Sequence, residues 1–210
     1  MPKPRLQRGL YLITPDESDP ARLLARTRPL LGYAACLQLR CKSMQAEGLR
    51  KAAASLRAAC RAAGVPFIVN DDARLADECD ADGVHLGEHD GGIGEARALL
   101  GEDAIIGVSC YDDLQRARDA AAAGADYIAF GAFFSSPTKP GARHASTALL
   151  LDSAALGLPR VAIGGITADN GSALVAAGAD LLAVISGVFE AADPVAAARA
   201  YLSCFDIENA

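Results

Sequence analysis

In the segment CLQLRCK, residues 36–42, an amide side chain and two cationic side chains stand at alternate positions. If this segment is a β-strand, Gln38, Arg40 and Lys42 share one face, because side chains alternate between the two faces of a strand. Two positive charges on one strand face are costly unless an anion accompanies them. The pattern therefore predicts a strand that presents its polar face to an anionic ligand.

Two carboxylates follow neighbouring strand candidates further along the chain. Asp71 ends the segment IVND, and Asp90 ends the segment GVHLGEHD. Adjacent strands lie about 4.8 Å apart, so the two carboxylates are close enough to share one small cation. A few carboxylates with waters and ligand phosphate oxygens suit Mg²⁺. The alternative is that each aspartate caps a separate helix; the residues alone leave both interpretations open.

Hydroxyls and glycines follow the later strand candidates. Ser109 is able to donate a hydrogen bond to a phosphate oxygen, and the loop 133–141 is either a solvated turn or a lid over a phosphate. Gly165 and Ser186 stand in glycine-containing turns, where backbone amides approach an anion closely; tight turns with positive φ are the alternative. His85 is as well explained as a hydrogen-bonded core residue as a catalyst. The candidate site is thus rich in phosphate and metal ligands and poor in acid–base groups.

Short β-rich segments alternate with longer Ala/Leu/Arg-rich segments along the whole chain. The strand candidates are Leu10–Thr14, Leu37–Cys41, Phe67–Asp71, Gly83–Leu86, Ile105–Ser109, Tyr127–Gly131, Val161–Gly164 and Leu181–Ser186. The helix candidates are Pro20–Leu31, Met44–Ala63, Asp72–Cys79, Gly92–Leu100, Asp112–Ala123, Thr147–Ala154, Asp169–Ala177 and Pro194–Phe205. Asp-Pro pairs at 19–20 and 193–194 have the pattern of an N-cap followed by proline at the first helical position.

Eight strand–helix units without a linker predict a single α/β domain over residues 1–210, a (β/α)8 TIM barrel. An open doubly wound sheet is the alternative, but the turn after the first strand lacks a glycine-rich nucleotide fingerprint. In a closed barrel the polar face of residues 38–42 points inward, toward the mouth where such barrels carry their chemistry. The alternative for those cations is an internal salt-bridge layer with Asp71 or Asp90.

The composition limits the partners. A net charge of −6 argues against nucleic acid or an anionic membrane, and 51% hydrophobic residues provide a packed core. The six cysteines stand singly, which is typical of reduced structural thiols in the cytoplasm. The first eight residues lack the apolar core of a signal peptide, and no apolar run reaches the roughly 20 residues of a membrane span. We therefore expect a cytoplasmic protein with small-molecule substrates.

Seven motifs occur in order over nearly the whole chain. They are Gln38-x-Arg40-x-Lys42, Asn70-Asp71, His85-Leu86-Gly87-x-x-Asp90, Gly107-Val108-Ser109, Pro137-Thr138-Lys139, Ile163-Gly164-Gly165-Ile166 and Val184-Ile185-Ser186. With these motifs the sequence resembles the thiamine phosphate synthase (thiamine-phosphate pyrophosphorylase) family. The resemblance implies a transferase that joins 4-amino-2-methyl-5-(diphosphooxymethyl)pyrimidine to 4-methyl-5-(2-phosphooxyethyl)thiazole, with release of pyrophosphate.

The resemblance also implies the roles of single residues. Asp71 and Asp90 would carry Mg²⁺ on the pyrophosphate. The implied catalytic residues are Arg40, Lys42, Ser109 and Lys139. The implied substrate-binding residues are Gln38, Arg40, Lys42, Asn70, Ser109, Ser136, Pro137, Thr138, Lys139, Gly165, Ile185 and Ser186. Gly187 departs from the family pattern, in which alanine is frequent at this position. A homodimer is implied by the resemblance only.

Other barrels remain as alternatives at this stage. A thiazole tautomerase shares the fold, but it should lack the pyrimidine-diphosphate and metal residues. A Schiff-base aldolase would use Lys42 or Lys139 as its nucleophile, which requires a depressed lysine pKa. A third alternative, a sensor, would bind the phosphates without turnover.

Overall fold

The computed structural model describes residues 6–135 and 144–206, and within them eight parallel strands close into a barrel in the order of the sequence. The strands are β1 Gly9–Ile13, β2 Ala34–Leu39, β3 Phe67–Asn70, β4 Gly83–Leu86, β5 Ile105–Tyr111, β6 Tyr127–Gly131, β7 Arg160–Ile163 and β8 Leu181–Val184. β8 pairs with β1, which closes the sheet. The predicted (β/α)8 fold is confirmed.

Helices connect the strands and cover the outside of the barrel. They are α1 Pro20–Thr27, α2 Ala46–Ala63, α3 Ala73–Glu78, α4 Ile93–Leu100, α5 Leu114–Ala122, α6 Ala148–Asp152, α7 Ala168–Ala176, α8 Ser186–Phe189 and α9 Pro194–Leu202. Short 3₁₀ segments lie at Arg28–Tyr33, Ala154–Leu156 and Ser203–Phe205. The Asp19 carboxylate accepts from the backbone N–H groups of Ala21 and Arg22, so the predicted Asp-Pro start of the first helix is confirmed.

Many predicted boundaries differ from the structure by one or two residues, and the differences at the ends of α1, β2 and β8 either have a structural cause or affect the site. α1 ends at Thr27 rather than Leu31, because Pro29 has no N–H for the next α-helical hydrogen bond and the chain tightens into a 3₁₀ segment. β2 spans Ala34–Leu39, so Arg40 and Lys42 lie in the loop just beyond the strand. β8 ends at Val184, and Ser186 already belongs to α8. The shift at β2 places Arg40 and Lys42 on a loop, and the shift at β8 places Ser186 at the start of a helix.

The strands divide their side chains between two packed layers. Cys36 lies in a cluster inside the barrel together with Tyr11 and Tyr127, whereas Leu37 and Leu39 belong to the cluster between strands and helices. Gln38 is buried and contacts Tyr11 inside the barrel. The predicted direction of the β2 faces is therefore correct for the residues within the strand.

The described helices include none that is long and apolar enough to cross a membrane. All six cysteines are free thiols. Burial raises the pKa of Cys60 and of Cys110 to about 12, which keeps these two thiols protonated and unreactive.

Candidate functional site

The loop after β2 is fixed by two residues that follow β1. The hydroxyl of Thr14 donates to the carbonyl oxygen of Arg40 (2.9 Å) and accepts from its N–H (2.8 Å). One carboxylate oxygen of Asp16 accepts from the N–H groups of Lys42 and Ser43, both at 3.0 Å. Hydrogen bonds from Ser43, and weaker ones from neighbouring groups, lower the pKa of Asp16 to about 2. An ionised Asp16 therefore holds the backbone from which Arg40 and Lys42 project.

The two aspartates after β3 have different contacts. Asp72 is the N-cap of α3, and its carboxylate accepts from the N–H of Leu75 at 2.9 Å. Asp71 has a φ of 63°, and its N–H donates to the carbonyl oxygen of His85 at 2.8 Å. A positive φ is uncommon for a residue with a side chain and costs energy at this turn. Since Asp72 caps the helix, the Asp71 carboxylate is available to the barrel mouth.

Asp90 lies in the loop after β4 and does not cap a helix. α4 follows Gly92 as its N-cap, and Asp90 Oδ2 accepts from the N–H of Gly87 at 2.9 Å. A Cβ atom on Gly87 would lie 2.6 Å from Asp90 Oδ2, so only glycine leaves room for the carboxylate there. The interpretation of both aspartates as helix caps is therefore wrong.

Charges from three loops meet at the mouth of the barrel. Burial raises the pKa of Asp71 to about 6, with a further contribution from its hydrogen bond to Asp90 and from the charge of that carboxylate. The positive charges of Lys42 and Arg40 act in the opposite direction on the same pKa. The loops after β2, β3 and β4 thus bring two cations and two carboxyl groups close enough for their charges to interact. Asn70, the last residue of β3, lies beside them and is half-buried.

Ser109 lies at the end of β5 and is held from two sides. His85 Nε2 lies 2.9 Å from its hydroxyl oxygen, and Arg116 on α5 donates to its carbonyl oxygen at 2.6 Å. Arg116 also donates to the carbonyl oxygen of Gly87 at 3.2 Å, and its guanidinium lies 5.7 Å from the ring centre of Tyr111. Burial lowers the pKa of His85 to about 4, so its ring is neutral at neutral pH.

Tyr11, Tyr127 and Arg116 were missed by the sequence analysis. Tyr11 lies at the same level of the barrel as Cys36, its neighbour on β2. The alternation of inward positions along β1 and β6 is the signal that could have found the two tyrosines. Arg116 stands on a helix whose charged residues otherwise indicate only a solvated face, so no pattern pointed to it.

The turns after β7 and β8 contain the glycines that were assigned to phosphate binding. Gly164 and Gly165 have φ angles of 101° and 63°. A Cβ on Gly165 would lie 2.7 Å from the carbonyl oxygens of Phe134 and Ser135, so this turn packs closely on the loop after β6. Ile185 precedes α8, and Ser186 is its exposed first residue.

The departure from the family pattern at Gly187 has a structural reason. A Cβ there would collide with the hydroxyl of Tyr201, which donates to the carbonyl oxygen of Ile166 at 2.8 Å. Four predicted substrate-binding residues, Ser136, Pro137, Thr138 and Lys139, lie outside the described residues. The roles of the other predicted site residues remain predictions.

Comparison with known proteins identifies related sequences over nearly the whole chain. A model of the family described as thiamine monophosphate synthase matches residues 10–188. A thiamine-phosphate synthase from Xanthomonas campestris pv. campestris strain 8004 is 61% identical over 205 residues, which cover 98% of this chain and 99% of that protein. The thiamine-phosphate synthase of Azoarcus sp. strain BH72 is 59% identical over 202 residues, 94% of this chain and 97% of that protein.

Solved structures agree with the sequence relatives. The thiamine phosphate pyrophosphorylase from Pyrococcus furiosus has a TM-score of 0.84 and 32% identity, covering 96% of this chain and 97% of that chain. A 3-hexulose-6-phosphate synthase has a TM-score of 0.69 at 19% identity over 93% of this chain and 99% of that chain, a likeness that shows the fold alone. The family match spans most of the chain and includes the strands that form the mouth. This chain therefore belongs to the thiamine monophosphate synthase family.

Proposed function

We propose that the barrel mouth binds a pyrimidine diphosphate against Mg²⁺ and transfers its pyrimidinylmethyl group to the nitrogen of a thiazole phosphate. The overall activity is that of a thiamine-phosphate synthase, a transferase, which relatives at 61% and 59% identity share over nearly the full length. The observation that carries the detailed proposal is the meeting of Asp71, Asp90, Arg40 and Lys42 in one place.

The donors at the mouth fit a magnesium ion that is completed by its substrate. Within residues 6–135 and 144–206, no group of three or more Asp, Glu, His or Cys side chains forms a metal site of its own. Mg²⁺ is usually held by one or two carboxylates together with waters and substrate phosphates. Asp71 and Asp90 supply that pair. Burial, followed by the hydrogen bond and the charge of Asp90, raises the pKa of Asp71, and a bound cation would favour its ionised form.

Bound Mg²⁺ would neutralise charge on the pyrophosphate as the carbon–oxygen bond breaks. Arg40 and Lys42 add positive charge on the β2 side of the mouth, where negative charge develops on the departing oxygen. Ser109 offers a hydroxyl from the β5 side. Gln38 and Asn70 contribute amides, and Lys139, outside the described residues, is proposed as a further cation.

The bond changes balance without a protein base. Pyrophosphate departs with the electron pair of the carbon–oxygen bond, and the aminopyrimidine stabilises the positive charge left on its methylene carbon. The lone pair of the thiazole nitrogen then forms the new carbon–nitrogen bond. These steps agree with a mouth that contains cations and carboxylates. His85, which points into the barrel, is neutral and already hydrogen-bonded at both ring nitrogens.

The thiazole phosphate is assigned to the opposite side of the mouth. Gly165 lies in the turn after β7, and Ile185 and Ser186 lie where β8 passes into α8. The loops after these two strands are the usual phosphate site of such barrels, which supports the assignment. Gly165 packs on the loop after β6, which leads toward Ser136, Pro137 and Thr138. The two substrates would then approach each other across the barrel axis.

The proposal is tested by measuring pyrophosphate release with each substrate alone and with both together. We expect release only when both substrates and Mg²⁺ are present, and loss of release in EDTA that returns when Mg²⁺ is added. Release from the pyrimidine diphosphate alone would indicate hydrolysis instead of transfer. Release that ignores EDTA would contradict the metal assignment.

Two further assignments belong to this proposal. The homodimer that the resemblance implies is testable by sedimentation equilibrium, where a monomer at micromolar concentration would contradict it. A cytoplasmic location is supported by six free thiols, since a reducing compartment maintains them. Fractionation of the producing cells tests that location.

A further inference from the structure

Five polar side chains form a continuous hydrogen-bonded chain through the barrel interior. Gln38 Nε2 donates to the hydroxyl oxygen of Tyr11 at 2.8 Å, and the hydroxyl oxygens of Tyr11 and Tyr127 lie 2.7 Å apart. The Tyr127 hydroxyl lies 2.9 Å from His85 Nδ1, and His85 Nε2 lies 2.9 Å from the hydroxyl of Ser109. The chain starts on β2, passes through β1, β6 and β4, and ends on β5 at the mouth.

Counting hydrogens gives this chain a direction. The Tyr11 hydroxyl oxygen accepts from Gln38, so its own single hydrogen is left for Tyr127. The Tyr127 hydroxyl oxygen then accepts from Tyr11, and its hydrogen is left for His85 Nδ1. A ring that accepts at Nδ1 must be neutral and carry its hydrogen on Nε2. Every fully buried side-chain nitrogen and oxygen of the described residues has a partner, which agrees with this assignment.

The same count of hydrogens applies to Ser109, the last residue of the hydrogen-bonded chain. His85 Nε2–H donates to the oxygen of the Ser109 hydroxyl, so the Ser109 hydrogen is not used inside the barrel. Ser109 is only half-buried and lies where the barrel interior opens into the mouth. With its oxygen already accepting, the hydroxyl presents a donor outward, which suits an anionic oxygen of a ligand.

We infer that Gln38, Tyr11 and Tyr127 act as positioning residues that fix the Nε2–H form of His85 and thereby orient the Ser109 hydroxyl as a donor to the substrate diphosphate. This inference rests on the proposed function for the identity of the anion. Reversal of the Gln38 amide would reverse every bond in the chain. Ser109 would then donate to His85 and present only lone pairs to the diphosphate, which is repulsive.

The tautomer is measurable without substrate. ¹⁵N NMR of the full-length protein with labelled histidine separates protonated from unprotonated ring nitrogens, and the His85→Gln spectrum assigns His85 among the three histidines. We expect Nε2 protonated and Nδ1 unprotonated in the wild type, and a mixture of both tautomers in Tyr127→Phe. Protonation at Nδ1 in the wild type would overturn the inference.

A double-mutant cycle tests whether the chain acts through Ser109. We expect Tyr127→Phe to lower kcat/KM for the pyrimidine diphosphate about three- to tenfold when Ser109 is present, and less than about 1.5-fold in a Ser109→Ala background. Equal losses in both backgrounds would mean that Tyr127 only supports the fold, and the inference would be wrong.

Tyr201→Phe is the matched control for the loss of a buried hydroxyl. Its hydroxyl bonds to Ile166 on the other side of the barrel, so its effect should be the same in both Ser109 backgrounds. The NMR result is independent of the reaction. If His85 has the expected tautomer but pyrophosphate release does not need Mg²⁺, the proposed metal chemistry is wrong and the inference about the hydrogen-bonded chain stands.

Discussion

Asp71 and Asp72 are adjacent in the sequence, yet they have different functions in the structure. Asp72 caps α3, and Asp71 turns away with a positive φ toward Asp90. An aspartate N-cap is expected at the start of this helix, because short polar side chains favour this position. The sequence could not predict which carboxylate reaches the mouth, since that depends on the hydrogen bond from the Asp71 N–H to the His85 carbonyl oxygen on the next strand.

The raised pKa of Asp71 predicts a pH-dependent stability of the metal-free protein. Its folded pKa of about 6 lies above the ordinary aspartate value of 3.8, so the folded state binds the proton more tightly than the unfolded chain. Stability from this group is therefore fully present below pH 3.8 and is lost as pH rises to about 6. Thermal unfolding in EDTA should show this slope in the wild type and not in Asp71→Asn. An identical slope in both proteins would contradict the assignment.

Gly87 is predicted to determine how well Asp90 binds metal. In Gly87→Ala the new methyl group meets Asp90 Oδ2 and pushes the carboxylate away. We expect the Mg²⁺ concentration for half-maximal activity to rise about tenfold, as for other changes next to a ligand. Gly94→Ala is the control, because a Cβ at Gly94 in α4 has no neighbour within 4 Å. An unchanged Mg²⁺ requirement in Gly87→Ala would contradict the role of Asp90.

At the scale of elements, the strands and helices were predictable where the chain contains local signals. The alternation of strands and helices and the Asp-Pro caps predicted the order of the elements and, to within about two residues, most of their bounds. The end of α1 and the end of β2 were not predicted, since Pro29 and the Thr14–Arg40 contacts set them. The hydrogen-bonded tyrosines were also beyond the sequence, because each bond joins residues on different strands.

α5 is predicted to tune the site through Arg116, which bridges the end of β5 and the loop after β4. Its planar guanidinium donates to the carbonyl oxygens of Ser109 and Gly87 together, a geometry that a lysine does not reproduce. Arg116→Lys should raise KM for the pyrimidine diphosphate about threefold to tenfold with a smaller effect on folding. Arg118→Lys, at an exposed position of the same helix, is the control. Equal KM values in the two variants would contradict this role.

At the scale of the whole molecule, the barrel brings together residues that are far apart in the sequence. Arg40, Asp71 and Asp90 follow three consecutive strands, and Ser109 lies near the end of the next one. Parallel strands bring their carboxyl ends to one mouth. The fold was predicted from the eight strand–helix units, and the family and the transferase activity from motifs at these positions; all three are confirmed. The assignment of each side chain to a substrate remains a prediction, because the charges at the mouth acquire their roles only with ligands bound.

The central claim is that Asp71 and Asp90 hold Mg²⁺ for pyrophosphate release, and its most direct test is a Mg²⁺ titration of that release. Asp77, exposed on α3, provides the matched control Asp77→Asn. We predict that Asp71→Asn and Asp90→Asn each lower kcat about a hundredfold or more and raise the Mg²⁺ requirement, with unfolding temperatures near that of the control. Wild-type release and wild-type Mg²⁺ dependence in both variants would contradict the account.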